Sequence, residues 1–244
     1  MLARYFGAAA LTGGLFFLAP HGAAAQADLA LVMAVDVSAS VDDERFKLQR
    51  DGIADGLTSR AVLDAVAGGP HATIELAIVE WSEQQNVLLD WTIIRDRADL
   101  DAVADILRRA ERPQVGWRTN VGGGIAKAAA LFDTAPLLAD RRVIDVSGDG
   151  QHNSGTLTAE QARDLAVAND VTINGLPITS GEEPEVDRWY REHVVGGAGA
   201  FMIVANGHAN FTDAMRMKLA LEVAGLIPGV TLARAGDTAG SQAR

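Results

Sequence analysis

The stretch Leu29–Val37, which reads LALVMAVDV, decides the fold of this chain. It is a continuous apolar run that ends in Asp36 and Val37, as expected for a central strand buried on both faces of a parallel sheet. Along the chain after this strand, short apolar runs alternate with amphipathic stretches. This alternation predicts an α/β fold with a doubly wound, mostly parallel central sheet and helices on both faces.

The segments after this strand continue the same alternation. The strands predicted over 72–81 and 87–94 are joined by only a short polar stretch, so they must be antiparallel and add one antiparallel edge strand to the sheet. One helix is predicted over 44–66, with Asp42 or Asp43 as its cap. The other predicted elements are helices over 97–110, 120–132, 158–169, 184–194 and 211–224, and strands over 141–147, 171–178 and 201–205.

The N-terminus has the layout of a secretory signal peptide. Arg4 supplies a positive charge, and the apolar run Phe6–Leu18 is too short to span a membrane. Small residues then lead to two alternative cleavage positions, after Ala25 or after Ala27. We therefore expect a periplasmic or secreted protein, divided into a signal peptide at 1–27, a domain at 28–225 and a flexible tail at 226–244.

Composition limits the classes of partner and cofactor. The formal net charge of −11 opposes binding to phosphate backbones and anionic lipids, so we expect no nucleic-acid partner and no membrane insertion after cleavage. The sequence has no cysteine, which excludes disulfides, thiolate metal sites and a lipid-anchored export signal. Any metal must therefore be held by oxygen or histidine ligands.

A carboxylate and two hydroxyls stand at alternate positions where the first strand ends. Asp36, Ser38 and Ser40 would point to the same side of an extended backbone and so face one small volume. Hard oxygen donors of this kind suit Mg²⁺, Mn²⁺ or Ca²⁺. The same string taken alone also fits an ordinary turn and helix cap.

Two further segments carry polar side chains toward the same edge. Thr119 precedes a helix that opens with glycines, and Asp149 lies between Gly148 and Gly150 after a strand. In open α/β sheets, ligands bind at the carboxyl ends of the strands, where neighbouring crossovers diverge. That rule places both residues in loops beside the end of the first strand.

In this order and spacing the three segments resemble the von Willebrand factor type A domain, most closely the bacterial secreted, uncharacterised proteins of the DUF1194 type. The resemblance covers about residues 29–225, including the antiparallel strand pair. It implies a metal-ion-dependent adhesion site (MIDAS), in which the serine hydroxyls bind one divalent cation directly and the other side chains bind it directly or through water. The remaining position would take an Asp or Glu carboxylate of a partner protein. The residues that the resemblance assigns to the metal are Asp36, Ser38, Ser40, Thr119 and Asp149.

Two positions depart from the family pattern. Gly148 is inserted before Asp149, which could shift that carboxylate. Asp145 stands in a predicted central strand where the family has an aliphatic residue, and a buried carboxylate needs a partner. That partner is either the loop of Ser147 or an arginine, and the sequence does not distinguish the two.

Other polar and aromatic residues near the predicted site receive structural interpretations. We expect His152 and Asn153 to be solvated loop residues and Glu80 and Ser82 to form hydrogen bonds at a strand end. Trp81, Trp91 and Trp117 are expected to be packing residues.

The sequence predicts a non-enzymatic, cation-dependent protein-binding module. It contains neither a G-x-S-x-G nucleophile elbow nor a phosphate-binding loop motif. Two alternatives stay open: a metal-dependent phosphoester hydrolase that uses Asp36 and Asp149 to hold Mg²⁺, and a scaffold with a vestigial site.

Overall fold

The computed structural model describes residues 25–181 and 183–228 of the chain. Most of the predicted signal peptide and of the predicted tail therefore lies outside the described residues. The strands are β1 (Gln26–Ala27), β2 (Leu29–Asp36), β3 (Ile74–Trp81), β4 (Gln85–Ile94), β5 (Leu138–Ala139), β6 (Arg142–Gly148), β7 (Thr172–Thr179) and β8 (Ala205–Asn206). The α-helices are α1 (Asp43–Leu57), α2 (Arg60–Gly68), α3 (Arg97–Arg109), α4 (Val121–Leu131), α5 (Ala159–Val167), α6 (Val186–His193) and α7 (Phe211–Ala224).

The main sheet has six strands in the order β4-β3-β2-β6-β7-β8. The β3–β4 pair is antiparallel and the other neighbours are parallel. The predicted fold class, including its antiparallel edge strand, is confirmed. Because β2 pairs with both β3 and β6, the loops that follow β2 and β6 lie side by side at the carboxyl edge of the sheet.

Alternating side chains of the central strands bury the two faces of the sheet separately. On β2, Leu31 and Met33 pack into the core beneath α1, α2, α3 and α7, whereas Val32 and Ala34 pack beneath α4, α5 and α6. Both faces are therefore covered, which explains why this strand is apolar at successive positions rather than at every second one. The enclosed sheet gives the loops at its edge a rigid base.

The single helix predicted over 44–66 is wrong, because two helices, α1 and α2, occupy that stretch. Ser59 has an extended backbone with φ −66° and ψ 151°, and its hydroxyl accepts a hydrogen bond from Val62 N at 3.3 Å. This N-cap begins a second helix. The buried apolar residues Leu57 and Val62 on the two sides of the break are five positions apart, which departs from the helical spacing of three or four.

The last strand is much shorter than predicted. The sequence predicts a strand over 201–205. In the structure β8 is Ala205–Asn206, and Met202 forms only an isolated bridge with Gly175. The N–H of Phe201 instead bonds to the side-chain oxygen of Asn174 at 2.9 Å. A side-chain acceptor therefore replaces part of the sheet pairing.

A second, two-stranded sheet was not predicted. In it, β1 pairs in parallel with β5, matching Gln26 with Leu138 and Ala27 with Ala139. Two-residue strands have too little periodicity to be found in a sequence. Within the described ranges, no helix is long and apolar enough to cross a membrane.

Candidate metal centre

The five predicted metal-binding residues lie at the carboxyl edge of the sheet. Asp36 is the last residue of β2, and Asp149 directly follows β6. Thr119 precedes Asn120, which caps α4 by accepting a hydrogen bond from Gly123 N at 2.9 Å. The edge therefore brings together the three segments that are far apart in the sequence.

The strand end folds tightly around the Asp36 carboxylate. Asp36 Oδ1 accepts a hydrogen bond from Ser38 N at 2.8 Å, and the hydroxyls of Ser38 and Ser40 are 3.3 Å apart. Asp36 and Ser38 are buried, with relative exposures of 0% and 1%. The two hydroxyls are thus held next to each other, as the alternating pattern predicted.

Asp149 is joined to the same group of side chains despite the preceding glycine. Ser40 Oγ donates a hydrogen bond to Asp149 Oδ1 at 2.5 Å. On its other oxygen, Oδ2, Arg45 Nη1 lies at 3.9 Å and His208 Nε2 at 3.5 Å. Asp149 therefore connects the serine loop, Ser38–Ser40, to two side chains that the sequence did not assign to the site.

Thr119 is held in place by Asn153. Thr119 N donates to Asn153 Oδ1 at 2.8 Å, and Asn153 N donates to the Thr119 carbonyl at 2.9 Å. Asn153 is an exposed loop residue, as expected, and its side chain also fixes the backbone of Thr119. Gly150 lies close by, since a Cβ at that position would be 3.6 Å from Thr119 Oγ1.

The second oxygen of Asp36 is buried inside the site. Among the residues described, Asp36 Oδ2 is buried and has no hydrogen-bond partner. Burial first, and then the negative charge of Asp149, raise the pKa of Asp36 from its ordinary value of 3.8 to about 7. Burial also lowers the pKa of His208, although the charge of Asp149 opposes this shift.

Gly148 is required by close packing around Asp36. A Cβ at this position would lie 2.5 Å from the hydroxyl of Tyr190 and 2.9 Å from Asp36 Oδ2. Both distances are shorter than van der Waals contact. The inserted glycine thus lets the loop after β6 approach the end of β2, and Tyr190 of α6 enters the site from a segment with no local motif.

The strand-end residues Glu80 and Ser82 have the structural roles expected of them. Glu80 is buried and forms an ion pair with Arg50, and it accepts a hydrogen bond from Asn86 at 3.2 Å. Ser82 Oγ donates to the Arg118 carbonyl at 2.7 Å. The bond from Ser82 fixes the loop that leads to Thr119.

Two of the three tryptophans expected to be packing residues do pack against the rest of the fold, and the third does not. Trp81 is completely buried, and Trp91 donates from Nε1 to the Leu131 carbonyl at 2.8 Å. Trp117, in contrast, is 71% exposed. Its carbonyl accepts a hydrogen bond from Ala39 N at 3.0 Å, so its backbone is fixed beside the serine loop.

The buried carboxylate of Asp145 has a lysine partner. Lys218 Nζ lies 2.6 Å from Asp145 Oδ1 and also pairs with Glu222 of the same helix. All three side chains are buried. The two partners considered from the sequence, the Ser147 loop and an arginine, were both wrong, because the partner comes from α7 across the core.

The donor set at the carboxyl edge fits a hard divalent cation. It combines the carboxylates of Asp36 and Asp149 with neighbouring serine hydroxyls, which are the oxygen ligands that such cations prefer. A buried carboxylate oxygen without a partner is costly, and a cation would compensate it. The residues present therefore fit a bound metal ion.

A second group of potential metal ligands lies at the opposite edge of the sheet and was not predicted. Ligand atoms of Asp28, His71 and Asp140 are all within 4.8 Å of one another. Both Asp28 oxygens already accept backbone N–H groups, from His71 at 2.9 Å and Thr73 at 3.3 Å. These bonds explain the position of Asp28 without a metal.

This fold, with its loops at the strand ends, is the fold of von Willebrand factor type A domains. The chain is similar to the von Willebrand factor type A protein from Catenulispora acidiphila, with 19% identity, a TM-score of 0.56 and coverage of 82% of this chain and 43% of that one. It is also similar to the von Willebrand factor domain of the type V pili tip protein Mfa5 from Porphyromonas gingivalis, with 13% identity, a TM-score of 0.59 and coverage of 82% and 96%.

A third similar structure is proximal thread matrix protein 1 from the mussel byssus with a zinc-occupied MIDAS motif. It has 16% identity and a TM-score of 0.57, with coverage of 82% of this chain and 48% of that one. The chain therefore spans about half the length of the mussel protein. At these identities the similarity establishes the fold alone.

The chain belongs to the DUF1194 family, described as a protein of unknown function, whose family model matches residues 26–227. No curated protein sequence matches the chain. The family and the fold are those expected from the three motif segments.

Proposed function

We propose that this protein is an exported binding module that holds one divalent cation and uses it to bind an acidic group of a partner protein. The observation that carries the proposal is the buried Asp36 Oδ2, which has no hydrogen-bond partner in the part of the chain that the structure describes. The other oxygen of this carboxylate accepts a hydrogen bond from Ser38 N at 2.8 Å, and the negative charge of Asp149 acts on the group. The metal-binding residues in this proposal are Asp36, Ser38, Ser40, Thr119 and Asp149.

Positive side chains around the site favour an anionic ligand. Arg112 Nη2 donates to the carbonyls of Val37 and Ser38, both at 2.9 Å, and Arg45 Nη1 donates to the Ser40 carbonyl at 2.6 Å. These arginines stand beside the proposed metal although the chain has a net charge of −11. A partner carboxylate would meet both the cation and this local positive potential.

The fold relatives support a binding role outside the cytoplasm. They include a pilus tip protein and a byssus matrix protein, and the latter has zinc in its MIDAS motif. Export of the present chain rests on the signal-peptide pattern at its N-terminus. The oxygen donors suit Mg²⁺, Mn²⁺ or Ca²⁺.

Titration calorimetry with Mg²⁺ and Mn²⁺ tests the metal-binding part of the proposal. Wild-type protein should bind one equivalent, and Asp36→Ala should abolish binding. Asp43→Ala is the matched control, because Asp43 is a nearby carboxylate that is fully exposed and bonded only to Arg112 at 3.4 Å among the described residues. Equal metal binding by wild type and Asp36→Ala would disprove the proposed site.

Two further experiments separate the binding module from the rival functions. Binding partners captured from an envelope extract should be released by EDTA and should not be captured by Asp36→Ala. A binding module should also leave a model phosphate ester unhydrolysed with the metal bound. Metal-dependent turnover lost in Asp36→Ala would instead establish the hydrolase, and metal binding with no Asp36-dependent partner would favour the vestigial scaffold.

A further inference from the structure

His208 reaches the proposed metal site from a segment that contains none of the three motifs. It begins the short 3-10 helix His208–Asn210, which lies between β8 and α7. The side chain is only 9% exposed, and its Nε2 lies 3.5 Å from Asp149 Oδ2. Within the residues that the structure describes, Nε2 has no hydrogen-bond partner. A buried imidazole nitrogen thus faces a proposed metal ligand without a bond of its own.

The backbone around His208 is fixed in a way that presents the ring to this edge. Pairing of β8 with β7 aligns Asn206 with Thr179, at the carboxyl end of the sheet. Gly207 has a φ of +80°, which turns the chain, and Asn210 Nδ2 donates to the Asn206 carbonyl at 2.7 Å. The position of His208 therefore follows from the sheet and from a braced turn.

Asp149 connects the imidazole to the serine hydroxyls. Its Oδ1 accepts the hydrogen bond from Ser40 at 2.5 Å, and its Oδ2 faces His208. Arg45 shares Oδ2 at 3.9 Å but is also held by the Ser40 carbonyl at 2.6 Å. The site consequently offers one nitrogen donor beside its oxygen donors.

We propose that His208 is an additional ligand of this metal site through Nε2, and that it shifts the selectivity of the site from Mg²⁺ toward Zn²⁺. The inference rests on the proposed function, because it assumes a cation at the Asp36 site. Mg²⁺ prefers oxygen ligands, whereas Zn²⁺ readily accepts imidazole nitrogen together with carboxylate oxygen. A histidine at this position therefore raises the affinity of the site for Zn²⁺ more than its affinity for Mg²⁺.

Competition titrations with Zn²⁺ and Mg²⁺ on the full chain test this inference. His208→Gln should weaken Zn²⁺ binding by at least roughly 10- to 100-fold, which is the loss found when a residue that only hydrogen-bonds to a metal ligand is removed, and should change Mg²⁺ binding far less. His193→Gln is the matched control, since His193 is a partly exposed histidine that pairs with Glu160. It should change neither affinity.

X-ray absorption at the zinc edge provides a second readout. Zinc bound to wild type should show a nitrogen ligand that is missing in His208→Gln. If Zn²⁺ binding requires Asp36 but His208→Gln keeps the same Zn²⁺ to Mg²⁺ ratio and the same spectrum, the role of His208 is disproved and the metal site stands. If wild type and Asp36→Ala bind Zn²⁺ with equal affinity and also bind Mg²⁺ with equal affinity, the proposed function itself fails.

Discussion

At the residue scale, the sequence predicts the members of the site that belong to local patterns and misses those that do not. Asp36, Ser38 and Ser40 are spaced two residues apart, and at a strand end this spacing turns their side chains to the same side. Their role as metal ligands stays a prediction. His208 and Tyr190 lie in unrelated segments with ordinary local sequences. Only the folded sheet and its crossovers bring them close to Asp36 and Asp149, so no sequence spacing could identify them.

Gly148→Ala should damage the site, and Gly150→Ala should not. An added Cβ at Gly148 meets the Tyr190 hydroxyl at 2.5 Å and Asp36 Oδ2 at 2.9 Å, whereas at Gly150 its nearest contact is 3.6 Å. We expect Gly148→Ala to lower the free energy of unfolding by about 1–3 kcal/mol and to weaken metal binding. Urea unfolding and calorimetry of the two variants measure this, and equal behaviour would contradict the packing argument.

At the scale of elements, one buried polar cluster ties α7 to the central sheet. Lys218 of α7 contacts Asp145 of β6 and pairs with Glu222 of its own helix, and Asn174 of β7 donates to Glu222 at 2.8 Å. The sequence indicated a need for a partner of Asp145 but not its identity. A lysine on an amphipathic helix is normally a surface residue, so its burial is set by the tertiary packing of α7.

Glu222 should make the stability of the fold depend on pH. Burial first, and then the charge of Asp145, raise the pKa of Glu222 from 4.5 to about 8. The folded state therefore holds an extra proton between these values. The stability contributed by Glu222 is complete below pH 4.5 and is lost as the pH rises through 8.

Urea unfolding of wild type and Glu222→Gln across this range measures the effect. The free energy of unfolding of wild type should fall relative to the variant by up to about 1.4 kcal/mol per pH unit. Glu192→Gln, which changes an exposed glutamate on α6, should follow wild type. Parallel curves for wild type and Glu222→Gln would contradict a raised pKa.

At the scale of the whole molecule, periodicity predicts the sheet and the helices that cover it, but not the details that depend on distant contacts. The unpredicted break between α1 and α2 follows from a single serine cap, and the pairing of β1 with β5 joins segments over 100 residues apart. The alternation of apolar strands and amphipathic helices is strong enough to specify the architecture. Short pairings and chain breaks are decided by individual hydrogen bonds.

The pairing of β1 favours one of the two cleavage positions of the proposed signal peptide. Ala27 is completely buried, and its carbonyl accepts a hydrogen bond from Asp140 N at 2.9 Å. Cleavage after Ala25 keeps Gln26 and Ala27 in this strand, whereas cleavage after Ala27 removes it. We therefore expect a mature protein that begins at Gln26. Intact-mass measurement of the exported protein determines the N-terminus, and a chain that begins at Asp28 would contradict this prediction.

The most direct test of the central claim is a crystal structure of the protein grown with Mn²⁺, with anomalous scattering measured at the manganese edge. The proposed site predicts one strong anomalous peak in contact with the hydroxyls of Ser38 and Ser40 and near Asp149. A structure with no peak there, or with a peak only among Asp28, His71 and Asp140, would contradict it.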